Sequence, residues 1–343
     1  MLTSFPLAPL LAYCSFEKTP TAAIIGFEIG AIALSLIVFA VLSRLTTRLW
    51  LRVPVMAVGV LLFEFFTAPM WHNERLGWWA YIYLDVSWIL TLSWTALILM
   101  TVILVDRLLT NYPAWQRFLV YLGVLLVVVS LLEMIVVNLG IRSYAPEVLD
   151  NLTGFFVAGV PLLDMLYYTP VFTGLVIAFY KYWSFAIDDE PLIPSKQRNW
   201  WRSLFIAFAA VFLFEVMIQP MVENVNFPRW SYFFFDINVI LIAAWVLMIG
   251  VSAIAIERLF MHWPLLYRFL FALGIAGSLL LPLEAWLIRN GYRVYGASAT
   301  HNFTGFTIPT LSVPIEVALA IPCYLALIIA FIRYWETVLD NRL

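Results

Sequence analysis

The chain has 343 residues, 64% of them hydrophobic and 12% charged, with a formal net charge of -2. With a mean hydropathy of +0.95, this composition defines a polytopic helical membrane protein with no soluble domain left over. Scattered, nearly balanced charge excludes nucleic acid as a partner. Two distant cysteines, Cys14 and Cys323, and three histidines, His72, His262 and His301, give neither a disulfide framework nor a metal-ligand spacing. No metal and no cofactor is therefore expected.

The N-terminus, MLTSFPLAPLLAYC, is apolar but has no basic stretch ahead of it, so a cleaved signal peptide is not expected. At about 20 apolar residues per crossing, nine spans are predicted near 22–43, 54–70, 82–105, 117–139, 156–181, 204–220, 233–256, 267–288 and 307–334. Alternating the loops between the two sides puts only Lys18, Arg75, Arg142, Arg229, Arg289 and Arg293 on one side. The other 13 of the 19 basic residues fall opposite. Cytoplasmic loops retain lysine and arginine, so the expected topology in the cell's inner membrane has the N-terminus outside and the C-terminus cytoplasmic.

Self-comparison at an offset of 151 aligns LLFEFFTAP (61–69) with FLFEVMIQP (212–220), VDRLLTNYP (105–113) with IERLFMHWP (256–264), and LEMIVVNLGIRSY (132–144) with LEAWLIRNGYRVY (283–295). After one inserted residue, Asp164 meets Glu316, Pro170 meets Pro322 and Trp183 meets Trp335. The expected fold class is thus an all-α polytopic transmembrane bundle of two parallel four-span tandem repeats and one leading helix. Its expected divisions are 1–53 (outer segment and first span), 54–181 (repeat 1), 182–203 (cytoplasmic linker), 204–334 (repeat 2) and 335–343 (tail). An even number of spans per repeat relates the copies by an axis along the membrane normal.

Nine acidic residues fall inside the predicted spans, and the basic residues within those bounds, Arg117, Lys181, Arg268 and Arg333, sit only at the opposite, cytoplasmic ends. Charge in hydrocarbon is costly, so an intramembrane carboxyl is by default a functional hypothesis. Glu28 is unrepeated and is read as an interhelical hydrogen bond. The other eight form four helical hairpins: Glu64 with Asp85, Glu133 with Asp164, Glu215 with Asp236, and Glu284 with Glu316. At about 1.5 Å rise per residue, all eight lie in one layer, roughly 5 to 14 Å from the outer boundary. A carboxyl without a cation in a low-dielectric site favours its protonated form and can give up a proton. The competing reading is that these acids only hydrogen-bond across the bundle.

Aromatics cluster at the same level, including Trp79 and Tyr81 in one loop and Trp230 and Tyr232 in its counterpart. They read as interfacial belt or as faces that attract positive charge. The tripeptides at Asn151 and Asn302 match a glycosylation sequon, but nothing rests on them.

The outer loops share G-x-R-x-Y, Thr-Gly and a valine-proline step before the acid. GIRSY, TGFF and VPLLD at 140–164, with GYRVY, TGFT and VPIE at 291–316, resemble integral membrane carotenoid enzymes, the heterodimeric-type lycopene cyclases and membrane carotenoid hydratases. The likeness covers about a third of the chain. It departs where those cyclases carry paired acids after the proline, because Val317 follows Glu316 and Met165 follows Asp164. The resemblance implies cofactor-free protonation, hydration or cyclisation of a carotenoid or other polyprenoid. Such chemistry needs a neutral carboxylic acid, aromatic faces for a carbocation and a carboxylate to take the last proton.

On this reading Glu133, Asp164, Glu284 and Glu316 are the catalytic candidates. Glu64, Asp85, Glu215, Asp236, Tyr144, Tyr295, Trp79 and Trp230 are the substrate-binding candidates. The expected partners are membrane lipid or polyprenoid, with room for a membrane-protein partner or a second copy of the chain. Two alternatives stand beside it: a proton- or cation-coupled transporter with its site between repeats, and a non-catalytic subunit of a larger membrane complex.

Overall fold

The computed structural model of the chain describes residues 20–151, 154–190 and 200–341. Cys14, Lys18, Lys196, Arg198, Arg342 and the core of the expected linker, 191–199, lie outside the described residues, as does Thr153 of the first sequon. The described residues contain nine helices long and apolar enough to cross a membrane. They are α1 (Ala22–Leu45), α2 (Leu49–Thr67), α3 (Trp88–Leu108), α4 (Ala114–Asn138), α5 (Thr169–Ile187, preceded by a π-helical turn at Asp164–Tyr168), α6 (Trp200–Ile218), α7 (Val239–Leu259), α8 (Leu265–Arg289) and α9 (Ile315–Asn341).

Local chemistry fixes several ends. The Thr21 hydroxyl caps α1 by accepting from the Ile24 N–H at 3.4 Å, and Asn238 caps α7 by accepting from Ile240 and Leu241 at 2.9 and 3.3 Å. Large apolar side chains such as Ile29, Leu34 and Ile37 of α1 are exposed on the bundle surface, as helices facing lipid tails require.

Helices α2, α5 and α9 pack on one another at the centre. Their contacts bury Tyr180, Tyr182 and Leu325 almost completely. The leading helix α1 packs on α3, and its buried Glu28 accepts a hydrogen bond from the Gly77 N–H at 2.5 Å. Glu28 thus ties α1 to the first loop.

Four starts differ from the hydropathy reading: the spans expected from 156 and 307 begin at Asp164 and Ile315, and those expected from 82 and 233 begin at Trp88 and Val239. The segments YIYLDVS and YFFFDIN are apolar enough to extend a span. Instead they form short antiparallel hairpins, β2 (Tyr81–Tyr83) with β3 (Val86–Ser87) and β8 (Tyr232–Phe234) with β9 (Ile237–Asn238). Leu84 and Phe235 turn these hairpins with φ of 45° and 44°, a left-handed conformation rare for bulky residues. Asp85 and Asp236 therefore sit in loop hairpins and not inside spans.

Ahead of these hairpins, β1 (Trp71–Asn73) pairs with β4 (Arg142–Tyr144), which follows α4, and β7 (Val222–Asn224) pairs with β10 (Arg293–Tyr295), which follows α8. A two-stranded ribbon, β5 (Phe156–Val157) with β6 (Val160–Pro161), precedes the π turn. The bounds of α2, β1, β2, β3, α3, α4 and β4 each recur 151 residues later, as in Trp71–Asn73 and Val222–Asn224, or Ala114–Asn138 and Leu265–Arg289.

All of these strands lie at one end of the bundle. At the other end buried charges are paired. Asp106 accepts from Arg117 at 3.0 Å and also from Tyr121 and Lys181. Glu257 lies 2.6 Å from Arg268 and 3.0 Å from Arg333.

Candidate functional site

At the stranded end, helix ends and loop strands converge twice. In the first half Glu64 comes from α2, Glu133 from α4 and Asp164 from the π turn. Single-turn π segments recur at functional sites. The β1–β4 pairing carries Arg142 and Tyr144 back over these helix ends. Arg142 Nη1 lies 3.3 and 3.1 Å from the two carboxylate oxygens of Glu133, and its Nε donates to Asn73 Oδ1 at 3.1 Å. The Tyr144 hydroxyl bridges Glu133 at 3.3 Å and Asp164 at 3.2 Å. Thr91 of α3 donates to Glu64.

The second half repeats the plan with different spacing. Arg293 Nε lies 3.1 Å from Glu284 Oε1, and its Nη2 lies 3.8 Å from Glu215 Oε1. The Nε contact is an ion pair and not an aligned hydrogen bond, since that N–H finds no acceptor in line. Arg293 Nη1 donates to Asn224 Oδ1 at 3.4 Å, and the guanidinium sits 5.7 Å above the Trp245 ring. Tyr295 donates to Glu284. Glu316, second residue of α9, accepts from the Thr304 N–H at 2.7 Å and the Thr304 hydroxyl at 2.6 Å, both on Oε1.

These contacts correct the expectation that the acids lack cations. Both cations come from the G-x-R-x-Y turns, residues counted above as outer-loop charge. Burial opposes the charge of Arg142 and Arg293. The neighbouring carboxylates outweigh it, Glu133 for the first and Glu284 then Glu215 for the second, and hold both guanidinium pKa values above that of a free arginine. The Tyr144 phenol is pushed up by burial and then by Asp164 and Glu133. The Tyr295 phenol is pushed up by burial and then by Glu284.

Two cavities follow from this arrangement, and Ala68 at the end of α2 borders both. The first is small, about 70 Å³, with mixed walls in which Glu64, Thr67, Glu133, Arg142 and Asp164 stand among aromatic and aliphatic residues. The second is about 430 Å³ and mostly apolar, lying between the end of α2 and helices α6, α7 and α9. Rings from both halves line it: Phe66 stands 5.6 Å from Tyr324, and Tyr324 meets Trp245 edge-on at 5.8 Å. Glu215, Glu284 and Glu316 border this cavity. The Oε2 atoms of Glu284 and Glu316, the Tyr324 hydroxyl and the Trp245 indole N–H are buried without hydrogen-bond partners.

The structure therefore brings together Glu64, Glu133, Asp164 and Tyr144 in one cluster, and Glu215, Glu284, Glu316 and Tyr295 in the other. Asp85 lines the small cavity and contacts His72 at 2.9 Å. Asp236 is exposed on its hairpin and lines neither cavity. Trp79 and Trp230 are exposed at 42% and 74% and also line neither, so their place is the surface belt. The residues that the sequence reading passed over are Arg142, Arg293, Thr304 and Tyr324. The arginine of G-x-R-x-Y, kept in both halves beside a glutamate nine residues earlier, was the available signal for the first two.

Neither a known protein family, nor a curated protein, nor a solved structure matches the chain. The class defined by fold and site is a multi-span helical membrane protein with paired carboxyl–arginine clusters at one end of its bundle.

Proposed function

We propose that the protein is an integral membrane enzyme that modifies a carotenoid or other polyprenoid lipid by carboxyl acid/base chemistry in the second-half cavity. One observation carries this reading. Two buried carboxylate oxygens, on Glu284 and Glu316, have no hydrogen-bond partner and border an aromatic-lined apolar cavity of about 430 Å³. That volume lies within the range of ligand pockets, which combine apolar walls with a few convergent polar groups. Unsatisfied buried oxygens are costly, and a guest that supplies a hydrogen-bonding or reacting group removes that cost.

The roles follow from charge balance. One guanidinium, Arg293, faces two carboxyls, so a site without net charge holds one proton on the Glu215–Glu284 pair. That proton is transferred to one carbon of an isoprenoid double bond, forming a C–H bond and leaving a tertiary carbocation at the other carbon. Trp245, Tyr324 and Phe66 present ring faces to the cation. Glu316, whose Oε1 accepts from two Thr304 donors near the start of α9, serves in this proposal as the accepting carboxylate. It takes a proton from a neighbouring carbon to restore a double bond, or from a water that adds to the cation. Neither route changes the oxidation state of the protein or requires a second substrate beyond water.

Cation-coupled transport is favoured less, because Arg142 and Arg293 each already pair with one acid that such a cation would bind. The outward orientation of this end belongs to the same proposal and rests on the basic-residue distribution.

The test is extraction and mass analysis of lipids that co-purify with the protein, followed by incubation with the polyprenoid recovered. A bound polyprenoid that is hydrated, cyclised or isomerised, with loss of conversion in Glu316→Gln, supports the reading. Purified protein that carries only phospholipid and converts no polyprenoid overturns it.

A further inference from the structure

The two cavities share many corresponding lining positions, and the larger is walled in addition by first-half residues such as Phe65, Phe66 and Tyr83, yet one is about 70 Å³ and the other about 430 Å³. Glu64, Trp94, Glu133 and Arg142 of the small cavity stand 151 positions before Glu215, Trp245, Glu284 and Arg293 of the large one. After the inserted residue, Asp164 and Phe172 stand 152 before Glu316 and Tyr324. The backbone frame is shared as well, since the bounds of α2, β1, α3, α4 and β4 recur at the same spacing. The backbone departs from this frame at the π turn Asp164–Tyr168, whose counterpart lies within α9, so the difference in volume has a local backbone part beside the side-chain part.

The largest side-chain changes among the corresponding lining residues fall at two positions. Trp71, the first residue of β1, corresponds to Val222, and Tyr168, the last residue of the π turn, corresponds to Ala320. All four line their respective cavities. Trp71 and Tyr168 meet edge-on, with ring centroids 5.9 Å apart and planes at 85°. Both rings line the small cavity together with Glu133 and Asp164. Replacing these rings by valine and alanine removes roughly fourteen side-chain heavy atoms, a deletion that a packed interior refills only in part. The walls change character in the same direction: Thr67 and Thr169 of the small cavity correspond to Ile218 and Ile321 of the large one.

We infer that Trp71 and Tyr168 are plug residues, which close the first-half site to apolar chains and leave the protein one site per chain, in the second half, for an elongated apolar ligand. The first-half cluster then admits only guests of the size of water. This goes beyond the acid/base reading, because it concerns which half is occupied and not what happens there.

Titration with retinol, a fluorescent isoprenoid polyene alcohol, in detergent tests the inference by stoichiometry. The intact protein is expected to bind one equivalent per chain. Val222→Trp with Ala320→Tyr closes the large cavity and should reduce this to zero, with no fall in melting temperature because the added rings fill existing space. Trp71→Val with Tyr168→Ala should raise it to two equivalents, and the ligand should restore thermal stability lost to the new void. One equivalent in a monodisperse Trp71→Val/Tyr168→Ala protein overturns the inference, as does undiminished binding after Val222→Trp/Ala320→Tyr. If the first variant does not fold, the second decides alone. Stoichiometries of one, zero and two in a protein that converts no polyprenoid would sustain the plug and remove the acid/base reading. Polyprenoid turnover with unchanged stoichiometry in both variants would do the opposite.

Discussion

Arg142 places a single Nη1 between the two carboxylate oxygens of Glu133, at 3.3 and 3.1 Å, although Glu133 ends a spanning helix and Arg142 begins a loop strand. The strand pairing of β4 with β1 makes this contact, because it folds the loop back over the helix ends. Arg293 does the same over Glu284 and Glu215, so each half carries its own cation inside an acidic cluster.

Removing that cation is expected to be among the most damaging single changes in the protein. Arg293→Met leaves Glu215 and Glu284 buried without a positive partner, a loss of about 3–5 kcal/mol for a broken buried pair. Adding Glu284→Met and Glu215→Met to that variant should recover most of the stability, since apolar replacement of a whole buried cluster is often neutral. Thermal unfolding in detergent checks both. An Arg293→Met protein as stable as the parent would show that the acids do not need the guanidinium.

How far the site was legible from sequence depends on the kind of contact. The apolar helices were readable because each carries its own length and composition, and the bounds of α1 and α4 lie within a few residues of those expected. Asp85 and Asp236 were misplaced because apolar hairpin residues such as Tyr81, Ile82 and Tyr83 add to hydropathy as helix residues would. Window averaging cannot see the positive φ at Leu84 and Phe235. Arg142 and Arg293 were read as solvent-side charge for a related reason. Loop membership says where a residue lies along the chain, whereas three-residue strands paired across about 70 positions decide where its side chain goes. The difference between the cavities lies in Trp71, Tyr168, Val222 and Ala320, which become meaningful only once they line the same place.

The buried phenols set an alkaline limit on stability. The Tyr144 phenol is raised above its ordinary 10.0 by burial and then by Asp164 and Glu133, so folding favours its neutral form. Its contribution is complete below about pH 10 and declines as pH rises through the folded value. Arg142, also raised, acts with the same sign but at still higher pH. Melting temperature should therefore fall between pH 10 and 11.5, and Tyr144→Phe should make that fall shallower while costing about 1 kcal/mol at pH 8 for its lost hydrogen bonds. An identical slope in both proteins would assign the alkaline limit to other groups.

Orientation is expected from the basic residues, and exposed positions on the two ends give a direct reading. With the native cysteines replaced, a cysteine at Asp150 or Thr300 should react with an impermeant maleimide on intact cells. One at Tyr112 or Met261 should react only after the membrane is opened. The four positions are exposed and lie at opposite ends of the bundle. The reverse pattern would place the carboxyl–arginine clusters on the cytoplasmic side.

The roles of Glu316 and Glu284 separate chemistry from packing. Glutamine at 316 keeps a carbonyl oxygen for the two Thr304 donors, so it should change stability by less than about 1 kcal/mol, while it cannot accept the final proton. Glutamine at 284 leaves Arg293 with Glu215, so a buried cation is not orphaned, but the shared proton of the Glu215–Glu284 pair is gone. Both variants should retain bound lipid and lose conversion by about a hundredfold or more, the scale of a positioned acid or base. If the carboxyls serve only as interhelical hydrogen bonds, the outcome reverses: each change costs about 0.6 to 2 kcal/mol, conversion persists, and only the melting temperature moves. Measuring turnover and melting temperature on the same preparations decides between these outcomes, and normal conversion in both variants would end the catalytic assignment.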